Sequence, residues 1–221
     1  MNPIRKMAAY LTAILLLGCV IQGEMLWLFE ILEAQILQEQ TQKDGFEVYQ
    51  ETMEKVWGEL VWFPVPKSSV NEQATTAFEN TWMAERTYGG KRSHEGIDVM
   101  ASVEKAGYYP VISMTDGAVE QVGWLEKGGY RIGIRSLEGN YYYYAHLDSY
   151  AKDWQAGEQV QAGEILGYMG DTGYGPEGTT GQFPVHLHVG VYVPLGADRE
   201  MAVNPYWMLR YLENKKLVYA Y

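Results

Sequence analysis

The order of apolar and polar positions divides the chain into three regions. Residues 7–21 are an apolar run without a charged side chain. Residues 24–59 are rich in Glu, Gln, Leu and Met, and apolar residues recur there at the three- and four-residue spacing of a helix face. This spacing predicts one or two helices with a break at Asp44-Gly45. Pro64 and Pro66 then end the helical pattern, and short strand-like runs alternate with glycine-rich turns.

The region after Pro66 predicts a mainly β domain of antiparallel sheets, because β-branched and aromatic runs recur there at short intervals. The predicted strands cover residues 97–100, 111–114, 118–124, 130–135, 141–146, 165–169 and 185–193. Near the end of the chain, Asn204 and Pro205 predict the N-cap and first position of a closing helix. We expect that helix to end near Leu212 and to pack against the sheet.

The N-terminal apolar run has the layout of an export signal. Arg5 and Lys6 precede it, and it is shorter than the roughly 20 residues of a membrane span. Residues 16–19 (LLGC) are similar to a bacterial lipobox, in which Cys19 would be lipidated. The alternative is an uncleaved signal anchor. Either outcome predicts an extracytoplasmic protein that is anchored in the membrane or secreted.

The predicted organisation follows from these changes of pattern. Residues 1–23 are a signal peptide with lipobox or a signal anchor, residues 24–60 a helical stalk, and residues 61–221 the β domain. The stalk is either a plain spacer or an inhibitory lid.

Charge and cysteine content restrict the chemistry. The formal net charge of −11 argues against a nucleic-acid partner. Cys19 is the only cysteine, so the chain cannot form an intramolecular disulfide or a thiolate metal site. Any zinc ion must be held by histidine and carboxylate side chains.

The chain has four histidines, and all lie at the starts or ends of predicted strands. His186 and His188 are two residues apart on a strand and therefore share a face. One imidazole of this pair can bind a metal while the other moves protons. His146 ends a tyrosine-rich strand and can point into a cleft.

His94 and Asp98 are four residues apart, which allows two geometries. On a helix they would share a face, and Glu95 would resemble the base of an HExxH metalloprotease. In a loop that enters a strand, Gly96 would let the backbone bend so that both side chains converge on one ion. Gly96 and the β-branched Ile97 favour the loop.

Two histidines and one aspartate leave a coordination position open, as in catalytic zinc sites. Such a zinc ion (Zn2+) lowers the pKa of its bound water to about 7 and polarises a carbonyl group. The two remaining imidazoles can take up and deliver protons or steady an oxyanion. The set predicts peptide hydrolysis.

Three segments resemble, in the same order, the motifs of lysostaphin/LytM-type zinc endopeptidases: 91–98 (KRSHEGID), 143–147 (YYAHL) and 186–188 (HLH). The segment 157–170, expected to form a hairpin, also matches this family. The resemblance covers about residues 61–212. It implies an antiparallel catalytic domain of the duplicated-hybrid-motif type that cuts peptide bonds in the stems or cross-bridges of bacterial peptidoglycan.

Carried over by position, the resemblance implies that His94, Asp98 and His188 are zinc ligands. It makes His146 and His186 the catalytic imidazoles and suggests Tyr88 as an oxyanion support. Residues 174–184 form a longer loop than this family usually has there, and we expect it to form one wall of the groove.

Two other functions compete with this one. A non-catalytic LytM-like factor would bind and activate another cell-wall hydrolase, but such proteins typically lose site residues that are all present here. A biotinyl or lipoyl carrier would need a lysine at a hairpin tip near residues 156–167, and no lysine occurs between Lys152 and Lys215.

Overall fold

The computed structural model describes residues 25–28, 30–32, 45–88, 90–195 and 199–221. The chain divides into two compact units, residues 1–51 and 52–221. In the first unit, residues 25–28 and 30–32 are helical. The predicted signal segment, residues 1–23, and the lipobox cysteine Cys19 lie outside the described residues. Within the described part of the chain, no helix combines the length and apolar character needed to cross a membrane.

Helix α1 spans Gly45–Glu59 and confirms the helix predicted after Asp44-Gly45. Its last turns belong to the second unit, where Val56 is fully buried and Leu60 is 5% exposed. Glu59 Oε1 accepts hydrogen bonds from Asn140 Nδ2 and Tyr142 Oη at 2.8 and 2.7 Å. The end of the helix is thus fastened to the β domain, while the boundary at residue 61 stays a prediction.

The second unit is mainly antiparallel β structure, as predicted. Its strands are β1 (Lys67–Ser68), β2 (Thr76–Phe78), β3 (Glu85–Arg86), β4 (Arg92–Ser93), β5 (Ile97–Ala101), β6 (Pro110–Ile112), β7 (Gly117–Leu125), β8 (Gly129–Arg135), β9 (Tyr141–Tyr150), β10 (Gln159–Val160), β11 (Ile165–Met169), β12 (His186–Pro194), β13 (Glu200–Val203) and β14 (Val218–Tyr219). The main sheet has the order β10-β7-β8-β9-β12-β5-β2, and β11 joins β9 to β6 while β13 pairs with β12. The short β1–β14 pair is parallel.

The segment 157–170 and the start of the closing helix differ from the sequence-based expectation. The segment 157–170 is not a hairpin, because β10 pairs with β7 whereas β11 pairs with β6 and β9. The closing helix α2 (Tyr206–Leu212) has Pro205 at its N-cap position. Asn204 lies one residue earlier, and its Oδ1 accepts a hydrogen bond from the Tyr206 amide at 3.0 Å.

Alternation along the central strands separates the core from an open face of the sheet. Tyr142, Tyr144 and Leu187 are fully buried on the core side. Their neighbours Tyr143 and His188 lie on the opposite face, where they line a cleft. The candidate site residues therefore lie on the cleft face of a sheet whose opposite face packs in the hydrophobic core.

Candidate active site

Neighbouring strands bring the predicted site residues together. On β12, His188 lies directly opposite Asp98 of β5 on one side and Ala145 of β9 on the other. His94 belongs to the loop that enters β5, so the loop-into-strand geometry is confirmed. His186 and His188 both line the cleft, while Leu187 between them is in the core.

His94, Asp98 and His188 form a compact group of possible metal donors. The His94 Nε2 and His188 Nδ1 atoms are 2.9 Å apart, and each is 3.0 Å from Asp98 Oδ1. Atoms bound to zinc at about 2 Å lie within about 4 Å of one another. Two imidazoles and one carboxylate at these separations fit a zinc ion and make up the three-residue donor set of catalytic sites.

Hydrogen bonds orient Asp98 and His94 through the side-chain atoms that are not candidate metal donors. Arg86 Nη2 lies 2.5 Å from Asp98 Oδ2, the oxygen that faces away from the two histidines. The Nδ1 atom of His94 lies 3.0 Å from Arg86 Nη2, which can only donate, and 3.1 Å from the carbonyl oxygen of Thr81, which can only accept. When that nitrogen donates to the carbonyl, Nε2 keeps its lone pair for a metal. Arg86 lies on β3, and no sequence spacing indicated that it would reach Asp98.

The ionisation states suit metal binding. Burial alone would raise the pKa of Asp98, but hydrogen bonds from His188 and His94 outweigh it and hold that pKa well below its usual range. The nitrogens that donate these bonds are the candidate metal donors, so a bound metal ion would take the place of their protons. Burial lowers the pKa of His188 below its usual value, against the opposing effect of Asp98. The site therefore favours an ionised carboxylate beside a neutral imidazole, which are the metal-binding forms.

Gly96 is needed for a close approach between the loop and β12. A Cβ atom at this position would lie 2.5 Å from the Cε1 and Nε2 atoms of His188 and 2.6 Å from the Val189 carbonyl oxygen. The φ angle of Gly96 is not positive. The glycine thus serves by leaving room for the His188 ring, whereas the sequence suggested a bend in the backbone.

His186 and His146 are held in the same tautomer. His186 Nδ1 is 2.7 Å from the Pro184 carbonyl oxygen, and His146 Nδ1 is 2.7 Å from the Thr172 carbonyl oxygen. A carbonyl oxygen can only accept, so each Nδ1 carries a proton and each Nε2 keeps a lone pair. The ring centroids lie 4.7 Å apart, and His186 Nε2 is 3.7 Å from Asp98 Oδ1.

A β-bulge in β9 directs His146 into the cleft. The pairing of β8 with β9 shifts register between Tyr130 and Ile132, leaving one extra residue on β9. His146 has a φ angle of +63°, an uncommon conformation for a residue with a side chain. As a result Ala145 and His146 both line the cleft, although they are consecutive. Burial, with smaller contributions from His186 and His188, lowers the pKa of His146 well below its usual value.

The cleft has a volume of about 600 Å³ and is lined by aromatic and charged side chains. Tyr174 and Phe183 line it from the loop 174–184, which therefore forms a wall as expected. The Phe183 ring lies 4.6 Å from that of His146. Tyr88 stacks on Tyr174 with ring centroids 4.3 Å apart, and Tyr174 is the member of this pair that lines the cleft. A role for Tyr88 in oxyanion support stays a prediction.

Known proteins similar to this chain act on peptide bonds. The sequence profile of peptidase family M23 matches residues 92–205, slightly more than half of the chain. The L-Ala–D-Glu endopeptidase of Bacillus subtilis (strain 168) is 43% identical over 134 residues, which cover 61% of this chain and 40% of that protein. The glycyl-glycine endopeptidase ALE-1 of Staphylococcus capitis is 33% identical over 84 residues, which cover 37% of this chain and 22% of that protein.

A solved structure extends the similarity to the fold. It is a crystal structure of a Ruminococcus gnavus protein assigned as a glycyl-glycine endopeptidase LytM, with a TM-score of 0.74 and 49% sequence identity. The superposition covers 85% of this chain and 74% of that chain. By contrast, the matches to the two curated relatives extend over less than half of their lengths.

Proposed function

Because the chain belongs to peptidase family M23, we propose that residues 61–221 form a zinc-dependent endopeptidase that hydrolyses peptide bonds of bacterial peptidoglycan. The observation that supports this proposal most directly is that two groups of side chains line the same cleft. One is the donor set of His94, Asp98 and His188, and the other is a pair of imidazoles whose Nε2 atoms keep their lone pairs.

In this proposal His94, Asp98 and His188 hold the zinc ion. A bound zinc ion supplies a water molecule of lowered pKa and polarises the scissile carbonyl group. His186 accepts a proton from the attacking water at Nε2, because its Nδ1 proton is bound to the Pro184 carbonyl. His146 stays neutral through burial and is a second proton acceptor, able to pass a proton to the leaving amine.

The named activities of the relatives support peptidoglycan peptides as the substrate class. Cleavage of such peptides takes place outside the cytoplasmic membrane, which agrees with the export signal predicted in residues 1–23. We propose that this segment directs export and that a retained anchor or a lipidated Cys19 would keep the enzyme at the membrane. The peptide itself is then the partner that the cleft binds.

Digestion of purified peptidoglycan, with products identified by mass spectrometry, tests the proposal. The chain should release peptides in a zinc-dependent reaction that a chelator stops. His188→Ala should lose both zinc and hydrolysis. His186→Ala should keep zinc but lose about 10²-fold or more of the turnover, since one general base contributes that much.

Two outcomes would contradict these assignments. Wild-type turnover by His186→Ala would reject its role as the base. A chain that cleaves no peptide, yet stimulates a separate cell-wall hydrolase, would favour the non-catalytic factor instead.

A further inference from the structure

The cleft reverses the charge of the chain. The sequence contains 28 acidic and 17 basic residues. The cleft is lined by four cationic side chains and only two acidic ones, and one of the acids is the candidate metal ligand Asp98. The cationic residues are Arg86, Arg92, Lys127 and Arg131, and the other acidic residue is Glu95.

Two of these arginines lack a carboxylate partner within the described residues. Arg86 pairs with Asp98, and outside the cleft Arg135 pairs with Glu120 and Glu200. In contrast, Arg92 donates to the Tyr174 hydroxyl at 2.9 Å, and Arg131 donates to Gln121 Oε1 at 3.1 Å. Both of those acceptors are uncharged. The charges of Arg92 and Arg131 are therefore not neutralised by neighbouring side chains in the part of the chain described.

Each of these two arginines also has a buried nitrogen that finds no acceptor among the described residues. The atoms are Arg92 Nε and Arg131 Nη1. A buried donor without an acceptor is costly, and more so on a charged group. Those two nitrogens are enclosed by the protein, so a ligand would meet the parts of the guanidinium groups that line the cleft. A carboxylate is the acceptor whose planar geometry suits a guanidinium best.

Both arginines lie close to the candidate catalytic residues. Arg131 stands on β8 two residues before Gly133, which lies opposite Tyr143 of β9. The Tyr143 ring meets that of His188 edge-on at 5.8 Å. Arg92 bonds to Tyr174, whose ring lies 6.1 Å from that of His146. A peptide held over the two imidazoles would therefore lie in a cleft that both guanidinium groups line.

We propose that Arg131 and Arg92 bind a free carboxylate of the substrate peptide, so that the enzyme selects acidic stem peptides over neutral glycine bridges. This inference rests on the proposed function and names its substrate class. A glutamyl residue within a peptide keeps one free carboxylate, whereas an internal glycine offers only its backbone groups. Neutral bridges would leave both guanidinium charges without a matching anion.

Two synthetic peptides that differ only in charge test the proposal with the full-length chain loaded with zinc. Both contain an L-Ala–D-Glu bond, and in one the free glutamyl carboxylate is replaced by a carboxamide. We expect the wild type to cleave the carboxylate peptide with a kcat/KM at least about tenfold higher, the effect of one charge-assisted hydrogen bond. Arg131→Gln should lose this preference by slowing only the carboxylate peptide. Arg135→Gln removes an equal charge from the same strand, outside the cleft lining, and should keep the preference.

Binding of both peptides to His186→Ala, measured by calorimetry, separates the two proposals. If His186→Ala binds the carboxylate peptide more tightly and the added substitution Arg131→Gln abolishes that difference, carboxylate recognition is upheld. This holds even if the wild type cleaves neither peptide, in which case only the proposed function fails. Equal cleavage of the two peptides by the wild type, or an unchanged preference in Arg131→Gln, would overturn carboxylate recognition while leaving the peptidase intact.

Discussion

At Gly96, the absence of a side chain decides whether a metal site can form. The His188 ring occupies the space that a Cβ atom would need, and the Val189 carbonyl blocks the other direction. Because the obstruction includes backbone, a substituted residue cannot be accommodated by turning a flexible side chain aside. The spacing of His94 and Asp98 thus works only with the smallest residue between them.

Gly96→Ala should therefore displace His188 from Asp98. We expect zinc affinity to fall at least about tenfold, and the free energy of unfolding to fall by about 1–3 kcal/mol because a tightly packed position is overfilled. Calorimetric zinc titration and urea denaturation measure the two effects. Gly58→Ala is the control, since nothing lies within 4 Å of a Cβ atom there, and it should stabilise helix α1 by up to about 1 kcal/mol. Unchanged zinc affinity in Gly96→Ala would contradict the steric role.

Burial of His146 should make stability depend on pH. Its pKa is lowered well below 6.5 in the folded state, while the unfolded chain takes up the proton near about pH 6.5. Below that pH the unfolded state binds more protons, so the free energy of unfolding falls as pH falls.

His146→Asn should weaken this pH dependence, and asparagine tolerates the positive φ angle. Urea denaturation at about pH 7.5 and about pH 5.5, values on either side of the unfolded pKa, measures the effect. A chelator is included because metal binding is itself pH-dependent. If the wild type and the variant lost equal stability between the two pH values, His146 would not be the buried neutral group described.

At the scale of elements, β9 and helix α1 show how supporting structure controls the site. The bulge in β9 turns His146 toward the cleft, although regular alternation would place it on the same face as the buried Tyr144. Helix α1 contributes from the opposite side of the sheet, through Val56 in the core and Glu59 at the Tyr142 hydroxyl. Burial and Glu59 together raise the pKa of Tyr142, which therefore stays a hydrogen-bond donor.

A truncation tests whether the end of helix α1 belongs to the folded unit. A fragment of residues 61–221 loses Val56 and Leu60 and leaves the Tyr142 hydroxyl without its acceptor, whereas a fragment of residues 52–221 keeps them. We expect the shorter fragment to be less stable by at least about 3 kcal/mol, which lowers Tm by about 6–12 °C for a domain of this size. Thermal unfolding of both fragments provides the measurement, and equal Tm values would place the boundary at residue 61 after all.

At the scale of the whole molecule, the cationic cleft lies in a strongly acidic chain. Like charges on the remaining surface repel an anionic peptide, whereas the cleft attracts it. Inside a longer peptide, an L-Ala–D-Glu unit carries a free carboxylate and a glycyl-glycine unit does not. Under our proposal, this distribution of charge therefore favours the first kind of peptide over the second.

The sequence alone predicted the features that depend on residues close together in the chain. Alternation along a strand is a local property of the backbone, so it predicted that His186 and His188 share a face, and both line the cleft. Glycine and β-branched residues around His94 and Asp98 likewise predicted a loop entering a strand. The single cysteine restricted metal ligands to histidine and carboxylate side chains.

Only the tertiary structure decided which of these groups meet. Asp98 and His188 are 90 residues apart, and the packing of whole strands sets the register that places them opposite each other. Strict alternation would have turned His146 into the core with Tyr144, and the bulge that reverses it has no local sequence pattern. Arg86, Arg92 and Arg131 carry the same charge in the sequence. Long-range contacts alone distinguish the arginine that pairs with Asp98 from the two that donate to uncharged acceptors.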